Sequence, residues 1–185
     1  MGLTSPIGEC LGAPDETFSS FFDPIVEGMA ASIKPVKDIV CIIIEADADL
    51  LLTVPDLVAS LALDLGEWVT NPLSLIELAG LDLPNILLGL DISGEINIDP
   101  EFTLAAIDMA IGLLLIPLDI IAGWIDGLTS LELPSIPTLD DISLLLEPLG
   151  FILPEGKLGE CVAQLPLIPL QAIGDIISGD TSPCA

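Results

Sequence analysis

Histidine, tyrosine and arginine are all missing from this chain. Without histidine there is no imidazole to act as general acid or base, and no Ser-His or Cys-His nucleophile can be built. Aromatic residues make up 4% of the sequence, too few for the sugar-stacking surfaces among which paired carboxylates hydrolyse glycosides. No glycine-rich phosphate loop, dinucleotide fingerprint or nucleophile elbow occurs either. These absences together predict a protein that is not an enzyme and uses no cofactor.

Positive charge is nearly missing as well. The 29 acidic residues face three lysines, Lys34, Lys37 and Lys157, for a net charge of -26. A chain with so few cations cannot neutralise phosphates, which excludes nucleic acid as a partner. Anionic lipid headgroups should repel it at neutral pH for the same reason.

The four cysteines, Cys10, Cys41, Cys161 and Cys184, match no Cys-x-x-Cys metal or redox spacing. An even number predicts two disulfides and an oxidising compartment, that is, the extracellular space or secretory lumen, with a membrane or air-water interface as the place of action. Of the three possible pairings we expect Cys10 with Cys41 and Cys161 with Cys184, since each closes a local loop; the alternative is four buried thiols. The opening MGLTSPIGEC has neither the basic nor the apolar region of a secretory signal.

What is abundant is apolar material: 52% of the 185 residues are hydrophobic, and the mean hydropathy is +0.82. Such values are typical of lipid-contacting proteins and high for a soluble monomer. The length fits a single domain over 1–185. Within it we expect an irregular leader over 1–14, a disulfide-tied N-terminal segment over 15–54, a repeat-like helical core over 55–160, and a disulfide-tied C-terminal helix over 161–185.

The fold class expected is mainly α, built from short apolar helices punctuated by proline. Asp15 is placed to cap a helix through Phe18, Phe21, Phe22, Ile25, Val26 and Met29, with Pro24 limiting its first part. In DIVCIIIEADADLLLTV, 38–54, β-branched residues are so dense that helix and strand score equally. From Pro55 onward, apolar stretches alternate with LDLP at 81–84, LELP at 131–134, FILP at 151–154 and AQLP at 163–166. Each proline pushes the preceding residue towards extended geometry and so marks a helix end. Only DISGEINIDP, 91–100, alternates about a Ser-Gly turn as a small β-hairpin would.

The rhythm extends to residue identity. LDLPNILLGLDIS, 81–93, aligns without gaps on LELPSIPTLDDIS, 131–143, and LIPLDIIAGWIDG, 115–127, aligns on LIPLQAIGDIISG, 167–179. These offsets predict a decayed helical repeat of about 50 residues. The competing explanation is chance self-similarity in a chain so rich in Leu, Ile, Pro and Asp.

The longest apolar run, 102–127, carries the main functional expectation. As a helix it presents Leu104, Ile107, Ile111, Leu114, Leu115, Leu118, Ile121, Trp124 and Ile125 as an apolar interaction surface. Asp108, Asp119 and Asp126 fall on one line, because steps of eleven and seven residues return to within about 20°. Gly112, Gly123 and Gly127 flank this line. As a membrane span, leucines and isoleucines at about -0.3 to -0.6 kcal/mol each would roughly offset two aspartates at about +2.5 to +3.5 kcal/mol each. Burial would raise the pKa of such acids, so the stripe is expected to be pH-sensitive and to favour association or insertion below about pH 5.

Two acidic clusters offer the oxygen ligands a metal such as calcium needs. Glu45, Asp47 and Asp49 could share one face of a strand, as could Asp91, Ser93, Glu95, Asn97 and Asp99 around the hairpin. Neither follows an EF-hand loop, so Asp91, Glu95 and Asp99 are weak calcium candidates and no metal site is expected. The leading expectation is a surface-active or self-assembling structural protein whose helices meet copies of themselves or a lipid or apolar interface. The alternatives are a secreted carrier with a Leu- and Ile-lined cavity for a hydrophobic ligand, and a membrane-associated subunit.

Overall fold

Two helices of 30 residues, α1 (Glu16–Glu45) and α5 (Pro100–Thr129), form the centre of the molecule. The computed structural model describes residues 9–10, 16–79, 100–148 and 156–185. Between the long helices lie α2 (Ala48–Leu51), α3 (Val54–Thr70) and α4 (Ser74–Leu78). After them come α6 (Leu139–Leu146), α7 (Lys157–Gln164), α8 (Leu167–Ser178) and a 3-10 turn at Ser182–Cys184. Among the described residues there is no strand, so the protein is mainly α. The expected hairpin and the 81–93 half of the repeat lie outside the described residues.

Helix α1 is the hub, packed by α5, α8, α4 and α3. Its inward line is Phe22, Ile25, Met29, Ile33, Val36, Ile39 and Val40, all buried, at the three- and four-residue steps that keep one face towards a core. That line continues past Pro24 and Pro35, both inside the helix. Pro24 therefore does not limit the helix as expected: each proline removes one backbone hydrogen bond, but burial on both sides of it outweighs the loss. The same burial decides the ambiguous 38–54 run. Residues 38–45 complete α1, because a β-branched residue loses only tenths of a kcal/mol in a helix. The chain then turns at Ala46, φ 51°.

Helix α5 confirms the helix expected at 102–127 and extends it by about half a turn at each end. Ala110, Leu113, Leu114, Ile116, Leu118, Ile120 and Ile121 are all buried, so its middle is enclosed on nearly every side by α1, α3 and α6. Ile107–Thr129 is long and apolar enough to cross a membrane, yet half of it is buried within the protein. At Gly28 of α1 a β-carbon would lie 3.0 Å from Leu114 Cδ2 of α5 and 3.7 Å from Leu75 of α4.

The proline punctuations do mark boundaries where the structure describes them. Helix α5 ends at Thr129, just before LELP, and Pro166 caps the start of α8. The α5 end is a Schellman closure: Glu132 N–H donates to the Gly127 carbonyl at 2.8 Å, and Leu131 N–H to the Leu128 carbonyl at 3.1 Å. Its left-handed residue is Leu131, φ 60°, where glycine is the favoured choice. Helix α8 ends with glycine in that role, Gly179, φ 109°. The matched segments 115–127 and 167–179 are therefore both helical, and both helices pack on α1.

The disulfides correct the expected pairing. Cys10 bonds Cys161 and Cys41 bonds Cys184, across 151 and 143 residues. The first ties the leader 1–14, and the second the segment 15–54, to the C-terminal segment 161–185, so neither end is tied within itself. The local-loop argument failed because α8 lies along α1, which brings the chain ends together through the core.

Three outcomes check this architecture. Gly28→Leu should lower unfolding stability by about 1–3 kcal/mol through overpacking, whereas Leu131→Gly should raise it by up to about 1 kcal/mol, both read by denaturant titration. Peptide mapping without reductant should recover Cys10–Cys161 and Cys41–Cys184, and removing either bridge should cost about 4–5 kcal/mol on the loop-closure model; recovery of Cys10–Cys41 would overturn the arrangement.

Candidate functional site

The expected interaction residues divide by depth in α5. Leu114, Leu118 and Ile121 are fully buried in the protein's own core and are not available to a partner. Ile107, Ile111, Leu115, Trp124 and Ile125 are half-buried, and the side chain of Leu104 lies outside the described residues. The aspartate stripe is a water-facing edge, since Asp108, Asp119 and Asp126 are all exposed. Beside it Gly123 is exposed, Gly127 half-buried and Gly112 buried.

Burial acts on a different acid. Asp23, one residue before the first proline of α1, has its Oδ1 buried with no hydrogen-bond partner. Desolvation, with the Glu27 carboxylate one turn away, raises its pKa above the ordinary carboxylate value. Two other acids shift the opposite way. Asp141 accepts the Thr138 backbone N–H at 2.9 Å in a capping box, which lowers its pKa. Asp180 is lowered by its hydrogen bonds from Ser182.

The acidic cluster at 45–49 has a structural explanation. It is not a strand face: Glu45 ends α1, and Asp47 caps α2 by accepting the Asp49 backbone N–H at 3.1 Å. The calcium candidates Asp91, Glu95 and Asp99 lie outside the described residues. Among the described residues no group of three or more acids and cysteines is placed to hold a metal ion.

Sequence reading missed the arrangement of α3. Its core face is Val54, Val58, Leu61, Leu65 and Trp68. Beside that face, over about 120° of helix arc, lie Ala59, Ala62, Leu63, Gly66 and Val69, all exposed. Leu63 is 77% and Val69 51% exposed, and nothing lies within 4 Å of a β-carbon built on Gly66. Asp56, Asp64 and Glu67 occupy only the remaining arc of about 80°. The available signal was the narrowness of that acidic sector in a 17-residue helix. Leu52, just before α3, is 79% exposed and continues the apolar surface along the chain.

A groove crosses α1 on the other flank of α3. One half, about 500 Å³, lies between α1 and α8 and is walled by Ala30, Ile33, Ile168, Pro169 and Ala172. The other, about 510 Å³, lies between α1 and α3 and is walled by Ile39, Leu57, Leu61, Trp68 and Leu78. The halves share Ala31 and Lys34, and Lys37 stands one turn further on in the first. Two of the chain's three cations thus line the first half, beside Glu27, while Lys34 alone reaches the second, where Asp38 and Asp64 also stand. A further cleft of about 650 Å³ borders the Cys10–Cys161 bridge.

Because Asp23 is more readily protonated folded than unfolded, stability should fall as pH rises from the ordinary value of 3.8 through the raised one. Asp23→Asn should therefore stabilise the protein at pH 7, by at most about 1 kcal/mol because solvent screens a partly exposed group, and should have no effect below pH 3.8, where both forms are neutral. Denaturant midpoints at pH 3 and pH 7 check this. As for relatives, no protein-family model, curated protein or solved structure matches the chain.

Proposed function

We propose that this is a secreted, non-enzymatic, surface-active protein. It lays the outer strip of α3 on an uncharged apolar boundary, such as an air-water surface or neutral lipid, and keeps its acids in water. The observation that carries this reading is that strip: Ala59, Ala62, Leu63, Gly66 and Val69 are exposed side by side on one helix. Contiguous apolar surface bordered by charge marks an interaction face, and a helix divided in this way lies flat in an interface.

The charge selects the partner. A net charge of -26 opposes association between copies and adsorption to anionic membranes, but an uncharged boundary offers no such repulsion. The two disulfides are compatible with an extracellular location. They support a surface role by tying the chain ends together, so that adsorption need not unfold the core.

In a pendant-drop experiment at neutral pH, the protein should lower surface tension at micromolar concentration while sedimenting as a monomer in bulk. The double variant Leu63→Gln, Val69→Gln should adsorb several-fold more slowly with an unchanged circular dichroism spectrum. Equal adsorption by both proteins would refute the assignment to α3, and no surface activity in either would refute the function.

A further inference from the structure

We infer that the groove across α1 is a binding site for a long-chain carboxylate, with Lys34 and Lys37 holding the anionic head and the two apolar halves holding the tail. The site is independent of the α3 strip, because α3 turns Leu57, Leu61 and Trp68 to the groove and Leu63 and Val69 to solvent.

The placement of the lysines is the first argument. The chain has 29 acids and three cations, yet Lys34 and Lys37 stand three residues apart on the same side of α1. Both line the groove. Among the described residues neither forms an ion pair.

The size and lining of the groove are the second argument. Halves of about 500 and 510 Å³ fall within the range of ligand sites, which are mostly apolar with a few placed polar groups. Here the polar groups are concentrated about Lys34, where the halves meet, and the tail walls are Ile168, Pro169 and Ala172 on one side and Leu57, Leu61 and Trp68 on the other. This geometry fits a molecule with one anionic end and one or two apolar arms.

The neighbouring acids define the head. Glu27 borders the first half, and Asp38 and Asp64 border the second. Three carboxylates around two ammonium groups disfavour a doubly charged phosphate, whereas a singly charged carboxylate can be matched by one lysine and oriented by the other.

The test uses the full disulfide-bonded chain carrying Trp124→Phe, so that Trp68, which lines the groove, is the only tryptophan reporting. Sodium oleate at low micromolar concentration should shift Trp68 emission and saturate at one molecule per chain by calorimetry. Lys34→Gln with Lys37→Gln should weaken binding about tenfold through loss of charge-assisted bonds, and Lys34→Arg with Lys37→Arg should restore it. Oleyl alcohol should bind about tenfold more weakly than oleate. The Leu63→Gln, Val69→Gln variant should bind oleate normally even though it fails at the air-water surface, so the two proposals can fail separately. Equal affinity for the alcohol, unchanged affinity in the glutamine variant, non-saturating uptake or no uptake would each overturn the assignment.

Discussion

The packing of α1 against α5 is the contact on which the rest of the structure depends. Each helix is apolar round much of its circumference and interrupted by proline, and neither could persist in water alone. Pressed together, they bury Ile25, Met29, Leu113, Leu114 and Ile121 almost completely. Helices α3, α4 and α8 then cover α1, and α3 and α6 cover α5. The missing β-carbon at Gly28 leaves room for the Leu114 side chain of α5, and the prolines are tolerated because burial around them exceeds the cost of one absent hydrogen bond each.

Scarcity of polar surface follows from the same arrangement. Once the two central helices are buried, their covering helices still carry more apolar residues than the core can hold, and α3 shows where the surplus goes. One sector faces the core, one lines a groove, and one lies open to solvent beside a thin acidic edge. The acids that do remain act mostly as solubilising edges or as caps. Asp47 and Asp141 terminate helices, and Asp119 is the one exposed position in the otherwise enclosed stretch from Gly112 to Ile121 other than half-buried Leu115. Asp23 is the exception, since its burial leaves one oxygen without a partner.

Several elements were legible from residues alone for clear reasons. The density of Leu and Ile over 102–127, with aspartates at helical intervals, leaves little choice but a buried helix with one wet edge. The prolines at 134 and 166 fall at helix boundaries, Pro134 just past the end of α5 and Pro166 at the start of α8, although Leu165 before Pro166 keeps helical geometry. Other elements were not legible. The Ile42–Ile43–Ile44 run reads as strand or helix until α1 is seen to have one continuous buried face, and Leu63 looks like Leu61 in sequence although one is exposed and the other buried. Lys34 and Lys37 stand out as rare cations, but the half of the groove that both line is completed by α8, from the other end of the chain.

The sequence by itself determined that the protein is mainly helical, strongly acidic, lacking histidine-based chemistry, and equipped with cysteines for two bridges. Composition, charge and periodicity are local quantities, and each limits the chemistry available whatever the packing. Tertiary structure alone decided which cysteines pair, which apolar residues are left over for the surface, and which carboxylate is buried. Those outcomes depend on which helices share the finite area of α1 and α5. The long apolar helix could have met lipid or another copy of itself on composition alone; it became a core because α1 offers it a matching face within the same chain.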